Sequence, residues 1–130
     1  MAMQINDAAG LWARTALVWF VLTMAFGMYL GLTQQFHMSS PHAHMGLLGW
    51  LSSGLFALLY ALAGDAPGSR WPPLHWAAHN LGVAAMATGL FLTIRNGPSW
   101  WTAMIPLGGL VLILATLWLA AMLWPRLRAR

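Results

Sequence analysis

Four long apolar stretches, joined by short polar segments, constrain the fold of this chain more than any other feature. They lie at about residues 11–33, 41–63, 72–94 and 101–124, and each has the roughly 20 apolar residues that a helix needs to cross a bilayer. Charged residues make up only 6% of the chain, whereas soluble domains carry about 25%. The sequence therefore predicts an integral membrane protein. We expect the first stretch to be a span, because it is longer than a signal-peptide core and follows no basic segment.

The connections between the stretches are short, namely QQFHMSS, GDAPGSRW and RNGPS. Short connections make sequential helices antiparallel neighbours. We therefore expect an all-α fold, a four-transmembrane-helix antiparallel bundle that forms one integral membrane domain over residues 1–130. Ser40–Pro41 and Pro72–Pro73 are typical of helix starts, with proline in the first turn.

The arginines predict the orientation of the bundle. Five of the six lie on the side that carries both termini, and only Arg95 lies on the other; the five are Arg14, Arg70, Arg126, Arg128 and Arg130. By the positive-inside rule both termini are cytoplasmic, and we expect a multi-pass protein of the bacterial inner membrane. Tryptophans near the predicted span ends indicate an interfacial aromatic belt; these are Trp12, Trp71, Trp100, Trp101 and Trp124.

The composition excludes several functional classes. The chain has no cysteine, which excludes disulfides, thiolate metal sites, iron–sulfur clusters and covalently attached haem. Its only carboxylates, Asp7 and Asp65, lie near or beyond the span ends, so a carboxylate metal site or a hydrolase triad has no acid. No basic patch with interleaved aromatics lies outside the spans, and we expect no nucleic-acid partner. Imidazole and thioether remain, and these suit haem iron or copper.

Four of the five histidines are paired within the apolar stretches. The second stretch presents on one face His42, Gly46, Gly49 and Ser53, with His44 beside it; the third presents His75, His79, Gly82, Met86 and Gly89. Such small-residue faces permit close helix packing, with Gly27 and Gly31 as partners, or leave a groove for a flat ligand. Polar side chains within a membrane usually mark function, which favours a ligand site.

Helical rise gives the expected depths of the two pairs. We expect His42 and His44 within about 5 Å of the outer end of their helix, and His79 about 24 Å deep. The pairs are then about 20 Å apart, too far to bind one haem iron from both sides within one protomer. His75 and His79, four residues apart, are able to chelate a single ion.

The segments HAHMGLLGWLSSGLFALLYAL and LHWAAHNLGVAAMATGLFL carry a resemblance to a known family. The first resembles the second transmembrane helix of haem–copper oxidase catalytic subunits, closest to the nitric oxide reductase and C-type oxidase branch. The second resembles a following helix in small four-helix proteins of that superfamily. Together they cover about half of the chain; the other two stretches match only in hydropathy.

The resemblance implies a low-spin haem b bound by His42, or by His44 after a small register shift. In that family the remaining haem and copper ligands come from later helices, so we do not expect this chain alone to reduce oxygen or nitric oxide. A second axial ligand would come from His37, Met38, Met28 or another protomer.

Three functions follow as hypotheses. The first is a haem b protein that serves electron transfer or redox or gas sensing, with a redox protein or quinol as partner. The second is copper handling or oxidase assembly, which would use a soft cluster of His37, Met38, His42, His44 and Met45. The third is a non-catalytic structural subunit whose histidines bond between helices.

Two further expectations concern the site and the assembly. We expect the outer pair, His42 and His44, to be the primary cofactor site, because Gly46 and Gly49 leave room for a porphyrin face, and the inner pair to be nearer a structural role. We also expect a homo-oligomer, because the glycine faces offer more small-residue surface than one bundle needs.

The orientation is testable with introduced cysteines, because the chain has none of its own. The cysteines introduced by Met3→Cys and Arg128→Cys should react with a membrane-impermeant maleimide only after the membrane is opened. The reason is that the distribution of the six arginines, five against one, predicts both termini in the cytoplasm. Labelling of both positions in intact spheroplasts would reverse the assigned orientation.

Overall fold

The computed structural model describes residues 6–64 and 70–126. Within this part of the chain four helical segments are long and apolar enough to cross a membrane, here called spans 1 to 4: Asp7–Thr33, Phe36–Ala63, Trp71–Ile94 and Ser99–Arg126. The protein is thus an all-α, multi-pass membrane protein, as predicted. Asp65, Arg128 and Arg130 lie outside the described residues.

Span 1 begins four residues before the predicted start because a polar cap precedes the apolar run. The Asn6 side chain accepts a hydrogen bond of 2.8 Å from the Ala9 backbone N–H, and Asp7 places an acidic group in the first turn. Both stabilise a helix N-terminus. The span ends at Thr33, where Gln34 adopts a left-handed conformation with φ 56°.

Span 2 begins earlier than predicted and is not a uniform α-helix. It consists of a 3₁₀ turn, an α-helix, a π-helix and a second α-helix, at Phe36–Met38, Ser39–His44, Met45–Leu51 and Ser52–Ala63. The α-helix begins at Ser39, one residue before the predicted cap Ser40, and the preceding 3₁₀ turn extends the span to Phe36. Pro41 falls in the first turn of this α-helix, where a missing N–H costs no backbone hydrogen bond.

Spans 3 and 4 follow the predicted pattern closely. Span 3 carries prolines in its first turn, as expected for a helix start. Span 4 opens with a 3₁₀ segment, continues as an α-helix and closes with a 3₁₀ turn, at Ser99–Ala103, Met104–Leu123 and Trp124–Arg126.

Contacts between the spans establish an up-down-up-down order. Asn6 at the start of span 1 donates to the Tyr60 carbonyl near the end of span 2, and Tyr60 meets His75 near the start of span 3. Gly89, late in span 3, packs against Met104 at the start of the span 4 α-helix. Sequential spans are therefore antiparallel, while spans 1 and 3 run parallel and are joined by the Trp76 side chain, which donates to Thr15.

Glycines set the close approach of spans 3 and 4. A Cβ at Gly108 would lie 2.7 Å from the Gly82 carbonyl oxygen, and one at Gly89 would lie 3.0 Å from Met104 Cβ. These small residues are used within one bundle, so they are not surplus surface for a second protomer. The expected surplus of small-residue surface is therefore wrong at Gly82 and Gly89. It is also wrong at Gly27, which packs against His42. The homo-oligomer itself stays a prediction.

The outer surface of the bundle is apolar, as lipid contact requires, and charges lie near its ends. Arg14, about two turns inside span 1, is exposed, which fits a side chain that reaches toward the interface. Trp71, Trp100 and Trp124 are 48%, 61% and 79% exposed, in agreement with the predicted belt. Trp12 is 0% exposed; its assignment to the belt is wrong, because it points into the core.

The contact between spans 1 and 2 is testable at Gly49. A Cβ there would lie 2.6 Å from Trp19 Cδ2, and the Trp19 ring is held by a 2.7 Å hydrogen bond from its Nε1 to Asn80. We expect Gly49→Ala to lower the free energy of unfolding by about 1–3 kcal/mol, because overpacking forces the ring or the backbone to move.

The measurement is an unfolding titration in mixed micelles. Gly54→Ala is the matched control on the same span, because no atom lies within 4 Å of its added Cβ, and it should leave stability unchanged or raise it. Equal stability of both variants would contradict the close contact.

Candidate functional site

Two histidines of span 3 lie in the core of the bundle. His75 and His79 are 0% and 2% exposed. They are four residues apart, so they share one face of the helix, and this face meets spans 1 and 2. Because an uncompensated polar group in this environment is costly, the partners of each ring decide what the pair is able to do.

One nitrogen of each ring is bonded to span 2. His79 Nε2 lies 2.9 Å from the Leu48 carbonyl oxygen, and since a carbonyl only accepts, Nε2 carries the proton and Nδ1 holds the lone pair of the neutral ring. His75 Nδ1 shares a 3.1 Å hydrogen bond with the Tyr60 hydroxyl. The other two nitrogens, His75 Nε2 and His79 Nδ1, are buried and have no hydrogen-bond partner among the described residues.

The π-helix of span 2 supplies the carbonyl that orients His79. Leu48 lies within Met45–Leu51, where backbone bonding shifts from residue i+4 to residue i+5 and the helix widens. The Ser52 backbone N–H accordingly donates to Leu47. This local irregularity brings a backbone acceptor to a histidine of another span, and π-helical turns of this kind occur often at functional sites.

Aromatic rings enclose the pair. The Trp12 ring centroid lies 4.8 Å from that of His75 and 5.4 Å from that of His79. The Phe56 ring lies 5.1 Å and 5.0 Å from the same two centroids. With Tyr60 at the side, spans 1, 2 and 3 each contribute to one compact group, here called the inner site.

Sequence reasoning missed Trp12 as a member of the inner site. Its position near a span end is typical of an interfacial anchor, and the prediction followed this position and not the helical face on which Trp12 lies. The signal was present in the small residues Ala9 and Ala16, which flank Trp12 on one helical face and are buried with it. Trp12 Nε1 is also buried without a hydrogen-bond partner in the described part of the chain.

The outer pair is divided between two environments. The His42 ring packs on span 1, where a Cβ at Gly27 would lie 2.7 Å from His42 Cε1, and its Nδ1 is buried without a partner among residues 6–64 and 70–126. His44, half-buried, donates from Nδ1 to the Ser40 carbonyl at 2.8 Å. This bond uses Nδ1 and leaves Nε2 of His44 outside it.

The expected porphyrin cradle beside His42 is filled by span 1. A Cβ at Gly46 would lie 3.3 Å from Thr23 Cγ2, and one at Gly49 would meet the Trp19 ring. These glycines permit close helix packing, which was the competing interpretation of the face, and they leave no room for a flat ligand inside the protomer. His42 with Gly46 and Gly49 therefore does not fit a haem.

The two histidine pairs are closer along the bundle than predicted. His79 bonds to Leu48, which lies six residues after His42 and thus about 9 Å along the helix. The expected separation of about 20 Å is wrong because span 2 starts at Phe36, which places His42 and His44 deeper than a start at Pro41 would. The pairs nevertheless remain separate groups.

The outer histidines do not converge on a common point. Within the described residues no three histidine, aspartate or glutamate side chains form a group that could hold a metal ion. His37 is exposed, His42 faces Gly27, and Met38 is 1% exposed. The three histidines of the predicted copper cluster over residues 37–45 are therefore not gathered into one metal-binding group in the protomer.

Comparison of the chain with protein-family models, with curated proteins and with solved structures finds no match. The resemblance to haem–copper oxidases stays a prediction, and the arguments below rest on the geometry of this chain.

The bond between Tyr60 and His75 is testable by removal of one oxygen atom. We expect Tyr60→Phe to lower the free energy of unfolding by about 1 kcal/mol, because a buried imidazole nitrogen loses its partner in an apolar bundle. The matched control is Tyr29→Phe, since Tyr29 is the only other tyrosine and its hydroxyl lies at the exposed surface with Gln35. Equal losses in the two variants, measured by titration in mixed micelles, would contradict a structural role of the Tyr60 hydroxyl.

Proposed function

We propose that the chain is a b-type haem protein of the bacterial inner membrane that serves electron transfer or redox or gas sensing. The observation that carries this proposal is the state of His44. Its Nδ1–H is fixed by the Ser40 carbonyl, and histidines that ligate metals commonly donate their other ring N–H to such an acceptor. Nε2 of this half-buried ring takes no part in that bond and is left as the nitrogen that would bind iron.

His44 suits this role better than His42 does. His42 Nδ1 is buried in a ring that packs on Gly27, so the haem iron has no access to it. Ligation through Nε2 would place a proton on Nδ1, which is buried without an acceptor in the described part of the chain. The register shift from His42 to His44, which the resemblance of HAHMGLLGW to the oxidase helix allows, is therefore the assignment that we propose.

A haem bound by His44 would lie on the lipid-facing surface of span 2 and not inside the bundle. Leu47 and Leu51, within two turns of His44, are 58% and 45% exposed, and such apolar side chains suit the face of a porphyrin as well as lipid. Bound iron would supply reversible one-electron exchange or a site for a small gas. The chain itself contributes the axial nitrogen, its orientation and an apolar surface that excludes water.

The second axial ligand is proposed to come from a second copy of the chain. A two-fold partner brings another His44 to the same depth, whereas within the protomer Met38 is buried and His37 is exposed on the preceding 3₁₀ turn. A redox protein or a quinol is the proposed electron partner.

A structural subunit is the competing function, and a specific observation favours it. His79 bonds to Leu48 and His75 bonds to Tyr60, and both hydrogen bonds join span 3 to span 2. Bonds of this kind stabilise helix association in membranes by about 0.6–2 kcal/mol each. They account for one nitrogen of each ring.

The haem proposal is tested by the visible spectrum of protein purified in mild detergent from a haem-supplied host. We expect a Soret band with reduced α and β bands at one haem per two chains. His44→Ala should abolish it, because the axial nitrogen is lost, while His42→Ala should leave it largely intact.

His37→Ala is the matched control, since His37 is an exposed histidine of the same segment, and it should retain the spectrum. Wild-type protein without a Soret band would exclude the haem function. Loss of the band in His42→Ala but not in His44→Ala would show that the ligand is misassigned.

A further inference from the structure

We propose that the inner site binds one monovalent copper ion, Cu(I), between His75 Nε2 and His79 Nδ1. The inference is independent of the haem proposal, because it concerns the histidines of span 3 and not His44 of span 2. It rests on these two nitrogens, which take no part in the hydrogen bonds between spans 2 and 3.

The unpartnered nitrogens are the first argument. Both rings are at least 98% buried, yet His75 Nε2 and His79 Nδ1 have no hydrogen-bond partner in the described residues. A buried polar atom without a partner is uncommon and costs about 1–3 kcal/mol. Two such atoms on adjacent turns of one helix face indicate a shared ligand.

The spacing of the rings is the second argument. Their centroids are 6.3 Å apart. Two imidazoles that share one ion at about 2 Å per metal–nitrogen bond have centroids about 6 Å apart when the donor nitrogens face each other. Residues four apart on a helix are an established chelating pair for transition metals.

The other nitrogen of each ring is already hydrogen-bonded, as is usual for histidines that bind a metal. His79 Nε2–H donates to the Leu48 carbonyl, and His75 Nδ1 bonds to the Tyr60 hydroxyl. Such bonds to the nitrogen that does not bind metal fix the ring orientation and the tautomer. With the proton of His75 on Nδ1, directed at the Tyr60 oxygen, both donor nitrogens carry lone pairs and no proton is released on binding.

The charge of the environment selects a monovalent ion. Asp7 is the only carboxylate among the described residues, and it is exposed in the first turn of span 1. The cost of burying an ion rises with the square of its charge, so a divalent ion without a carboxylate is strongly disfavoured. Zinc, moreover, takes four ligands in structural sites, whereas Cu(I) accepts two nitrogen donors.

The surrounding rings compensate a single positive charge. Trp12 and Phe56 lie 4.8–5.4 Å from both imidazole centroids, so an ion held between the imidazoles would have aromatic rings as neighbours, and such rings attract cations. His75 lies one turn after Trp71, the first residue of span 3, so the site is about 6 Å from that end of the helix. The ion would therefore enter from the side of the bundle that holds the start of span 1.

The test is Cu(I) binding to the purified full chain in detergent, measured by competition with a chromophoric Cu(I) chelator under reducing conditions. We expect one Cu(I) per chain. His75→Gln and His79→Gln should each abolish it, because glutamine retains a hydrogen-bonding group but offers no imidazole nitrogen. His37→Gln is the matched control and should bind as the wild type does. Tyr60→Phe should weaken binding about 10–100-fold, as loss of a bond that orients a ligand does.

X-ray absorption at the copper edge of the wild-type protein gives the second readout and does not depend on any variant folding. Two imidazole nitrogens without sulfur are expected. Sulfur ligation, retention of Cu(I) in both glutamine variants, or wild-type binding no tighter than that of His75→Gln would each overturn the proposal. The Soret band of haem-loaded protein should be unchanged in His75→Gln and His79→Gln, so failure of the copper site and failure of the haem site are distinguished.

Discussion

Two imidazole rings that the bilayer does not solvate organise this bundle. His75 and His79 are buried in a chain whose described residues contain only one carboxylate, and one nitrogen of each ring is paired with a neutral group. The partners come from span 2, as the Leu48 carbonyl and the Tyr60 hydroxyl, and span 1 closes the site with the Trp12 ring. The relative positions of three spans thus follow from the need to bury and to bond one pair of side chains.

Close packing of spans 1 and 2 determines where a cofactor has room. Gly27, Gly46 and Gly49 bring the two backbones together, and the space above them is taken by His42, Thr23 and Trp19. The same glycines that allow a porphyrin in principle are used here for helix contact. The haem proposal therefore uses the outer surface of the bundle, where His44 presents a half-buried ring beside exposed leucines.

Much of the fold was predictable because the length and hydropathy of each apolar stretch are read directly from the sequence. The number of spans and their antiparallel order are confirmed, and the ends at Thr33, Ala63 and Ile94 agree with the structure. The start of span 2 and the role of Trp12 were not predictable, because they depend on which helix faces of the different spans pack against each other. The π-helix of Met45–Leu51 likewise has no local sequence signal. His75 and His79 were identified as candidates, but their shared site required the positions of Leu48 and Tyr60, which only tertiary contacts define.

The burial of the two proposed sites assigns them different chemistry. A redox centre changes its charge at each turnover and has to approach a partner, so a sealed apolar core penalises one of its two states. His44, at the half-buried surface of span 2, meets both requirements. The inner site does not, since its rings are at least 98% buried and enclosed by Trp12 and Phe56. An ion that keeps one positive charge, shares two neutral nitrogens and faces aromatic rings is the species that such an enclosure stabilises. The two proposals therefore assign electron exchange to the lipid-facing surface of span 2 and retention of a closed-shell ion to the core.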